Sequence, residues 1–292
     1  MMRKARAIDD PILILFYSML IVWSLAILYP FYYVVINSFN GALRYGLVLD
    51  WPRVFTLENY QIIFKDDRLL RAMFVSALRV VIGSSITVFN CSMCAFALRK
   101  QRLALCNFYL ILFTIPMFFG GGLIPYFLNL KRLGLYDTFW VYVTPSVFQF
   151  FMVVIFMANF REIPDAMEES ATIDGANYFR VFRSIFLPMS MPVIATFLLF
   201  AGVGQWSAYF DNLYFVRKES LDTLAGVLLR IITRSDISQY MSEMYKDWGR
   251  TQADTQGIKL ATLVVSVVPV VAIYPFMQRY FIKGIKIGAV KE

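Results

Sequence analysis

The sequence contains no histidine, and this absence removes several kinds of catalytic site at once. Ser-His-Asp triads, Cys-His pairs and HExxH zinc sites all need that residue. No GxxxxGK[ST] run occurs either, so the chain lacks a P-loop and any energy for its function must come from another polypeptide. Cys91, Cys94 and Cys106 include one C-x-x-C pair without the second pair or the histidines of a zinc site. We therefore interpret the cysteines as packing residues and expect no metal site.

Charged residues are also scarce. They make up 16% of the 292 residues, whereas 59% are hydrophobic and the mean hydropathy is +0.60. A soluble globular domain of this length would need more polar surface, so the composition indicates a protein of the lipid bilayer. The net charge of +8 comes from basic residues scattered between apolar blocks, which argues against nucleic-acid binding.

Six apolar stretches are long enough to cross a membrane, which takes about 20 residues in a helix. They cover approximately residues 12–38, 72–98, 104–130, 137–160, 186–209 and 259–282. The sequence therefore predicts an all-α, polytopic bundle of six transmembrane helices that forms one domain over residues 1–292. The third stretch is interrupted by Gly120 to Gly122 and Pro125, either as a plain kink or as part of a pathway that satisfies the freed backbone.

Lysine and arginine in short loops predict the orientation, because they stay in the cytoplasm. Four basic groups fall on one side of a six-span chain, which places both termini in the cytoplasm. The N-terminal apolar run has no small-x-small cleavage site, so we expect a retained first span. The groups are Arg3, Lys4 and Arg6; Arg99, Lys100 and Arg102; Arg161, Arg180 and Arg183; and Arg279, Lys283, Lys286 and Lys291. Residues of about 39–71 and 210–258 then lie outside, with Lys131 and Arg132 as an exception on an outer turn. Leucine spacing within 220–234 predicts an amphipathic helix that either caps the bundle or binds a partner.

Residues 161–187, between the fourth and fifth predicted spans, have the features of two short helices with a bend. Pro164 suits the first turn of a helix, and the acidic residues after it place negative charge at the positive N-terminal end. Gly175 supplies the backbone freedom that a turn needs. A cytoplasmic helix pair with an acidic and apolar surface predicts a docking element.

This segment resembles the EAA loop of ABC-importer permeases. Glu169-Ser170-Ala171, then Gly175 after three residues and Ile185-x-Leu187-Pro188 after nine more match that loop at every spacing, with Ser170 in place of the usual first alanine. Trp51-Pro52, Gly121 to Pro125 and Tyr274-Pro275-Phe276 are similar to the carbohydrate-uptake branch of the family. The likeness is to the maltose-permease type and its relatives that import oligo- and polysaccharides.

The resemblance implies a type I ABC-importer permease fold, a place in the bacterial inner membrane, and an oligosaccharide or polysaccharide-derived sugar as the solute. It implies a heterodimer with a second permease subunit, a pair of ATP-binding-cassette ATPase subunits that hold ATP and Mg, and an extracytoplasmic solute-binding protein. It implies no cofactor and no catalytic residue on this chain. The residues it assigns to ATPase coupling are Glu168, Glu169, Ser170, Ala171, Asp174, Gly175, Ala176, Ile185, Leu187 and Pro188.

We expect the solute path where polar or aromatic side chains coincide with weakened helix, since rings cover the apolar faces of sugars and planar polar groups bind hydroxyls. A cation within a span is costly unless it pairs, faces water or snorkels to the interface, and each of these remains open for Arg79. For the other residues the alternative is packing against a neighbouring helix. The candidates are Arg79, Tyr126, Phe148, Gln149, Phe150, Trp206 and Tyr209.

Three other functions compete with sugar import. The first is an ABC importer for a polyol, a glycerophosphodiester or an amino acid, because the EAA loop identifies the machine and not its cargo. The second is a membrane-embedded enzyme, which would need a buried nucleophile and base that the sequence does not offer. The third is a membrane scaffold or sensor, which would not need a coupling loop.

Overall fold

The computed structural model describes residues 11–41, 54–99, 105–233 and 255–288, and the side chains of the last range from 256 to 275. Several sequence features lie outside the described residues. They are the basic residues Arg3, Lys4, Arg6, Lys100 and Arg102, the Trp51-Pro52 run, and most of the outer segment beyond residue 233.

The described residues are almost entirely helical. One isolated antiparallel bridge, between Asn40 and Phe55, is the extended pairing found among them, which confirms the all-α prediction. The helices are α1 (Pro11–Ser38), α2 (Glu58–Lys65), α3 (Asp67–Leu98), α4 (Cys106–Phe118), α5 (Leu123–Arg132), α6 (Trp140–Val143), α7 (Phe150–Arg161), α8 (Asp165–Ile173), α9 (Tyr178–Val181), α10 (Leu187–Met189), α11 (Met191–Ser207), α12 (Phe210–Phe215), α13 (Leu224–Thr233) and α14 (Thr255–Gly288).

Three helices in the described part of the chain are long and apolar enough to cross a membrane: α1, α3 and the Gln256–Pro275 part of α14. Two bent pairs raise the number to five if each pair is one span. Trp140–Ser146 and Phe150–Arg161 meet at 50°, and Tyr178–Met189 and Met191–Ser207 meet at 82°. The chain is therefore polytopic, and the count of six spans stays a prediction.

The third predicted span is divided into two helices. Helix α4 ends at Phe118 and α5 begins at Leu123, after Gly122 with a left-handed φ of +81°. Neither half has the length of a full span by itself. The predicted exception to the charge rule has a local explanation, because Lys131 and Arg132 form the last turn of α5, where cations interact favourably with the helix dipole.

The described residues divide into two compact units, and the first comprises residues 1–66 and 231–267. Helix α1 exposes apolar side chains over its membrane-length window. At its C-terminal end, Ser38 Oγ lies 2.6 Å from Tyr60 Oη, and Asn59 Nδ2 donates to the Ser38 carbonyl at 2.9 Å. Burial raises the pKa of Tyr60 above its ordinary value. Gly257 admits this arrangement, because a Cβ there would lie 2.6 Å from Asn59 Nδ2.

The second unit comprises residues 67–230 and 268–292. Its main core joins α3, α7, α11 and the wide helical turn Phe182–Phe186. Four phenylalanines at most 1% exposed fill the centre, and each contributes about 1.5–3 kcal/mol by its burial. They are Phe156, Phe160, Phe182 and Phe186. This core holds residues 161–187 against the end of α3.

The amphipathic helix predicted over residues 220–234 is present but begins later. Glu219–Leu221 form a separate 3₁₀ turn and Asp222 has an extended backbone, so α13 begins at Leu224. Its first residues are tied to α3, because the Leu224 N–H donates to Ser76 Oγ at 2.8 Å. Leu224 and Val227 are buried, as the helical spacing predicts for the inward face.

Candidate functional site

Residues 161–187 form a bent, helical segment. Helix α8 ends in a tight turn in which the Gly175 N–H donates to the Thr172 carbonyl at 3.0 Å and the Ala176 N–H to the Ala171 carbonyl at 2.9 Å. The Asn177 side chain then caps α9 by accepting from the Arg180 N–H at 2.8 Å. The two short helices and the bend expected from the sequence are therefore present.

The turn explains the glycine in a specific way. Gly175 has a φ of +81°, in the left-handed region that costs other residues about 1–2 kcal/mol. No described atom lies within 4 Å of the position a Cβ would take. Backbone conformation, rather than crowding by this chain, is thus the reason for glycine here.

The predicted coupling residues lie on two faces of this segment. One face packs inward: Glu168 is buried, and four others are half-buried against the phenylalanine core, namely Ala171, Ala176, Ile185 and Leu187. The other face is exposed and carries Glu169, Ser170, Asp174, Gly175 and Pro188. Large apolar side chains are exposed beside it, including Ile173 at 86%, Tyr178 at 74% and Phe179 at 55%.

Glu168 forms a buried ion pair that the sequence reading missed. Its carboxylate meets the guanidinium of Arg99, and the two side chains are 6% and 5% exposed. The Arg99 Cζ also lies 4.0 Å from the ring centroid of Phe186 and 4.7 Å from that of Phe96. From the sequence, Arg99 is interpreted only as a loop cation that indicates which side of the membrane is cytoplasmic. The pair itself could be inferred from Glu168, because an acidic residue on the inward face of a helix needs a partner.

A second buried arginine, Arg79, organises a polar cluster near the other end of α3. Its guanidinium forms an ion pair with Asp211, donates from Nε to Gln205 Oε1 at 2.6 Å and from Nη1 to the Ala208 carbonyl at 3.0 Å. Its Cζ lies 4.6 Å from the ring centroid of Tyr142. Arg79 is 2% exposed, so it is paired within the chain and does not snorkel.

The cluster extends to the break in the fourth predicted span. Gln205 Nε2 donates to Ser146 Oγ at 2.6 Å, and Thr87 Oγ1 donates to the Ser146 carbonyl at 2.8 Å. Gly83 lies directly beside Gln205, where a Cβ would come within 2.8 Å of Nε2. These bonds satisfy backbone and side-chain groups where α6 and α7 are interrupted, as a helix break within a membrane requires.

A neighbouring network fixes the chain after α11. Arg230 pairs with Asp222 through two bonds of 2.7 Å, and Asn212 Nδ2 donates to Asp222 Oδ1 at 3.0 Å and to Tyr142 Oη at 2.8 Å. Tyr142 Oη donates in turn to the Leu221 carbonyl at 2.7 Å. Bidentate pairing of this kind holds both partners in one geometry.

The predicted path residues fall into different surroundings. Tyr126 interacts electrostatically with Asp211 and Arg79, so two of the candidates lie near one another. Phe148 and Phe150 both contact Phe113, with centroid distances of 5.0 and 5.8 Å. Accessible area remains on Tyr126, Phe148, Gln149 and Tyr209, whereas Phe150 is buried.

Trp206 differs from the other candidates in the surroundings of its side chain. It is half-buried and lines an apolar cavity of about 270 Å³ between α3, α11 and the second-unit part of α14. Its neighbours there include Val80, Leu199 and Pro269. Gln149, by contrast, is exposed at the start of α7, where its backbone N–H donates to Cys91 Sγ at 3.3 Å. The surroundings of Trp206 are those of a packing residue.

Asp211 is the second residue that the sequence reading missed. An arginine inside a span needs a compensating group, and Asp211 follows the fifth predicted span at a comparable depth. Its side chain is 23% exposed, so it joins the buried guanidinium to accessible surface. The signal available in the sequence was the need of Arg79 for an acidic partner at the outer end of a span.

The family assignment follows from a direct comparison. Residues 91–287 match the family described as the binding-protein-dependent transport system inner membrane component. The chain belongs to this family. As a member, it is an inner-membrane, multi-pass component of a transport system, and the residues matched include α8, the turn at Gly175 and Asp211.

Individual relatives agree with this assignment. Protein LplC of Bacillus subtilis is 36% identical over 264 residues, which cover 90% of this chain and 88% of that protein. The polygalacturonan/rhamnogalacturonan transport system permease protein YtcP of the same organism is 35% identical over 284 residues, with coverages of 95% and 97%.

A solved structure shows the fold. The structure of a bacterial ABC transporter involved in the import of the acidic polysaccharide alginate includes a chain that matches with a TM-score of 0.87 and 23% identity. The match covers 96% of the chain described here and 100% of the chain in the solved structure. The fold is the type I ABC-importer permease fold that the resemblance implied.

Proposed function

We propose that the chain is the permease subunit of an ABC importer that carries an oligosaccharide or a polysaccharide-derived sugar. One observation carries the coupling part of this proposal. The bent segment from α8 to α10 holds one face in the phenylalanine core and exposes the other, which carries Glu169 of α8 and the turn at Gly175. That arrangement suits a surface that docks on an ATPase and passes its motion to the bundle.

The exposed face has the chemistry of a protein interface. Ile173, Tyr178 and Phe179 present large apolar area next to acidic side chains, and contiguous apolar patches of this kind mark interaction sites. We assign ATP and Mg to the docked ATPase pair, and ATP hydrolysis to that partner rather than to this chain. A second permease subunit and lipid would cover the exposed apolar side of α1, and a solute-binding protein would deliver the solute from outside.

The sugar assignment is supported by the relatives and by the Arg79 cluster. YtcP is named for polygalacturonan and rhamnogalacturonan transport. In this chain, the partly exposed Asp211 carboxylate pairs with the buried Arg79 guanidinium, and Tyr126 interacts electrostatically with both. Tyr209, two residues before Asp211, has an exposed ring. Carboxylates and hydroxyls bind sugar hydroxyl groups, and rings cover the apolar faces of the sugar. We infer that this outer cluster borders the path.

The orientation belongs to the same proposal. With both termini and residues 161–187 in the cytoplasm, reporter fusions after residue 101 and within 165–185 should report the cytoplasm. Fusions near residues 60 and 240 should report the outside. Opposite results at two of the four sites would contradict the six-span arrangement.

The test of function is reconstitution of the chain with its second permease, ATPase pair and solute-binding protein in vesicles. Uptake of labelled oligogalacturonides should depend on ATP and on the binding protein. Sorbitol, a glycerophosphodiester and glutamate serve as competing solutes. Preferential uptake of one of these would replace the sugar assignment. If the complex assembles but imports none of the tested solutes in the presence of ATP, the transport role is contradicted.

A further inference from the structure

Helix α8 is attached to the rest of its unit by an unusual contact. Of its nine residues, one has a buried side chain, and that side chain is the carboxylate of Glu168. Its partner is Arg99, the residue directly after α3. Ala171 adds a half-buried apolar contact to the core. The main link between α8 and α3 is therefore an ion pair rather than an apolar seam.

The arginine in this pair is held on three sides. Phe96 lies in the last turn of α3, and its ring centroid is 4.7 Å from the Arg99 Cζ. Phe186 lies in the wide turn that follows α9, and its ring centroid is 4.0 Å from the same atom. The two rings are themselves 5.0 Å apart in an edge-to-face arrangement. Arg99 thus joins α3, α8 and the wide turn at one point.

Stability alone does not account for this choice of residues. A buried ion pair loses the hydration of both charges, and well-packed apolar residues in its place are often equally stable. What a guanidinium–carboxylate pair adds is geometry, because it is satisfied in few relative positions, whereas an apolar contact can slide. The pair therefore fixes where α8 lies on the end of α3.

The two consecutive glutamates of α8 have different surroundings. Neighbouring residues of a helix point about 100° apart, so Glu169 is exposed while Glu168 is buried. The outward carboxylate is available to a partner protein. The inward carboxylate connects the same helix to α3, which runs for 32 residues and carries the Arg79 cluster further along.

We infer that Arg99 is a positioning residue for energy coupling: through Glu168 it makes α8 and the adjoining end of α3 move as one body. This inference rests on the proposed docking of α8 on an ATPase. Motion of the ATPase would then reach α3, and with it the outer cluster, without passing through the turn at Gly175.

The experiment measures the distance between α8 and α3 in the complete importer, with its second permease and ATPase pair. Spin labels are placed at Ala166 in α8 and at Met93 in α3, both exposed, after Cys91, Cys94 and Cys106 are replaced by alanine. Distances are recorded without nucleotide and after trapping with ADP and vanadate. The amount of ATPase retained on the permease is measured in the same samples.

In the parent we expect one distance that is the same in both states. In Arg99→Met and Glu168→Gln, the ATPase should be retained, and the distance should shift by about 2 Å or more on trapping. Arg99→Lys keeps the charge and should restore the parental behaviour in part. Arg132→Ala removes an exposed cation at the end of α5, outside the docking segment, and should change neither measurement.

Glu169→Lys separates this inference from the proposed function. It should release the ATPase and leave the label distance unchanged. If Glu169→Lys retains the ATPase, the docking proposal fails. If it releases the ATPase but Arg99→Met and Glu168→Gln keep the parental distance in both states, the positioning inference alone is overturned. Failure of both pair variants to assemble would also overturn it, because the pair would then serve assembly and not positioning.

Discussion

Arg99 directly after α3 and Arg79 within that helix are both buried cations, and they are neutralised in different ways. Arg99 has one acidic partner and two rings, and both members of its ion pair are almost fully buried. Arg79 shares its charge among a carboxylate that is 23% exposed, an amide and a backbone carbonyl at the end of α11. The first site is one ion pair flanked by two rings, and it joins the end of α3, α8 and the wide turn. The second is a network in which several contacts support one another, so its members should be strongly coupled.

Removal of Arg79 should have the largest effect on stability. Arg79→Leu leaves Asp211, Gln205 and the Ala208 carbonyl without their shared partner, and breaking a buried pair of this kind costs about 3–5 kcal/mol. Thermal unfolding of the purified chain in detergent measures the loss. Arg132→Ala, which removes an exposed cation, is the control. If Arg79→Leu lowers the free energy of unfolding by less than about 1 kcal/mol, the Arg79–Asp211 pair contributes no more than an ordinary surface ion pair. The description of Arg79 as the centre of a supporting network would then be wrong.

The double variant Arg79→Leu/Asp211→Leu sharpens this result, since it leaves no unpaired charge. Its stability should lie between those of the parent and of Arg79→Leu. If the double variant is less stable than the single one by the full cost of Asp211→Leu, the two residues act independently and the network description is wrong.

The turn at Gly175 should respond to backbone conformation rather than to side-chain size. Gly175→Val places a β-branched residue in the left-handed region at a cost of about 1–2 kcal/mol, and we expect about tenfold weaker retention of the ATPase. Gly175→Asn is the matched control, because asparagine adopts this conformation more readily. Equal retention by both variants would show that the exposed turn is not held in its left-handed form when the ATPase binds.

Gly83 tests how tightly the Arg79 network is packed. Gly83→Ala places a Cβ within 2.8 Å of Gln205 Nε2, so Gln205 must move away from Arg79 or from Ser146. The loss of one such hydrogen bond costs about 0.5–1.5 kcal/mol. Gly204→Ala in α11 is the control, because it has open space around it and alanine favours the helix. Unfolding temperatures of the two variants should therefore change in opposite directions.

The elements that the sequence predicted well are those marked by a long apolar run or by glycine residues. The apolar run of α1, the break at Gly120 to Gly122 and the turn at Gly175 follow from hydropathy and from glycine, which act locally. The bend of 82° before α11 and the late start of α13 were not predictable in this way. They depend on packing around Phe182 and Phe186 and on the bond from Leu224 to Ser76, which join residues far apart in sequence.

The candidate site divides along the same line. The spacing of Glu169, Gly175 and Pro188 predicts the proposed docking segment, because the whole motif lies within one short stretch of sequence. The partners of Arg79 and Arg99 lie 132 and 69 residues away, and only the fold brings Asp211 and Glu168 to them. Trp206 faces the apolar cavity, whereas the adjacent Gln205 bonds Arg79 and Ser146, because neighbouring helix residues point about 100° apart. The place of Trp206 on the path stays a prediction.

The smallest effect is expected at Gln149, and it bears on where the solute path runs. The Gln149 backbone is held by its bond to Cys91, and its side chain is exposed, so Gln149→Ala should change stability by no more than about 0.5 kcal/mol. If the side chain binds a sugar hydroxyl during passage, the loss of one hydrogen bond lowers oligogalacturonide uptake by about two- to tenfold.

Trp206→Ala provides the contrast, because removal of a ring from an apolar cavity should lower the unfolding temperature. Its uptake should fall only in proportion to the folded protein that remains. Uptake and thermal unfolding are measured on the same reconstituted preparations. Parental uptake by Gln149→Ala would exclude this residue from the path and leave the accessible surface around Asp211 and Tyr126, or the second permease subunit, as the place where the sugar passes.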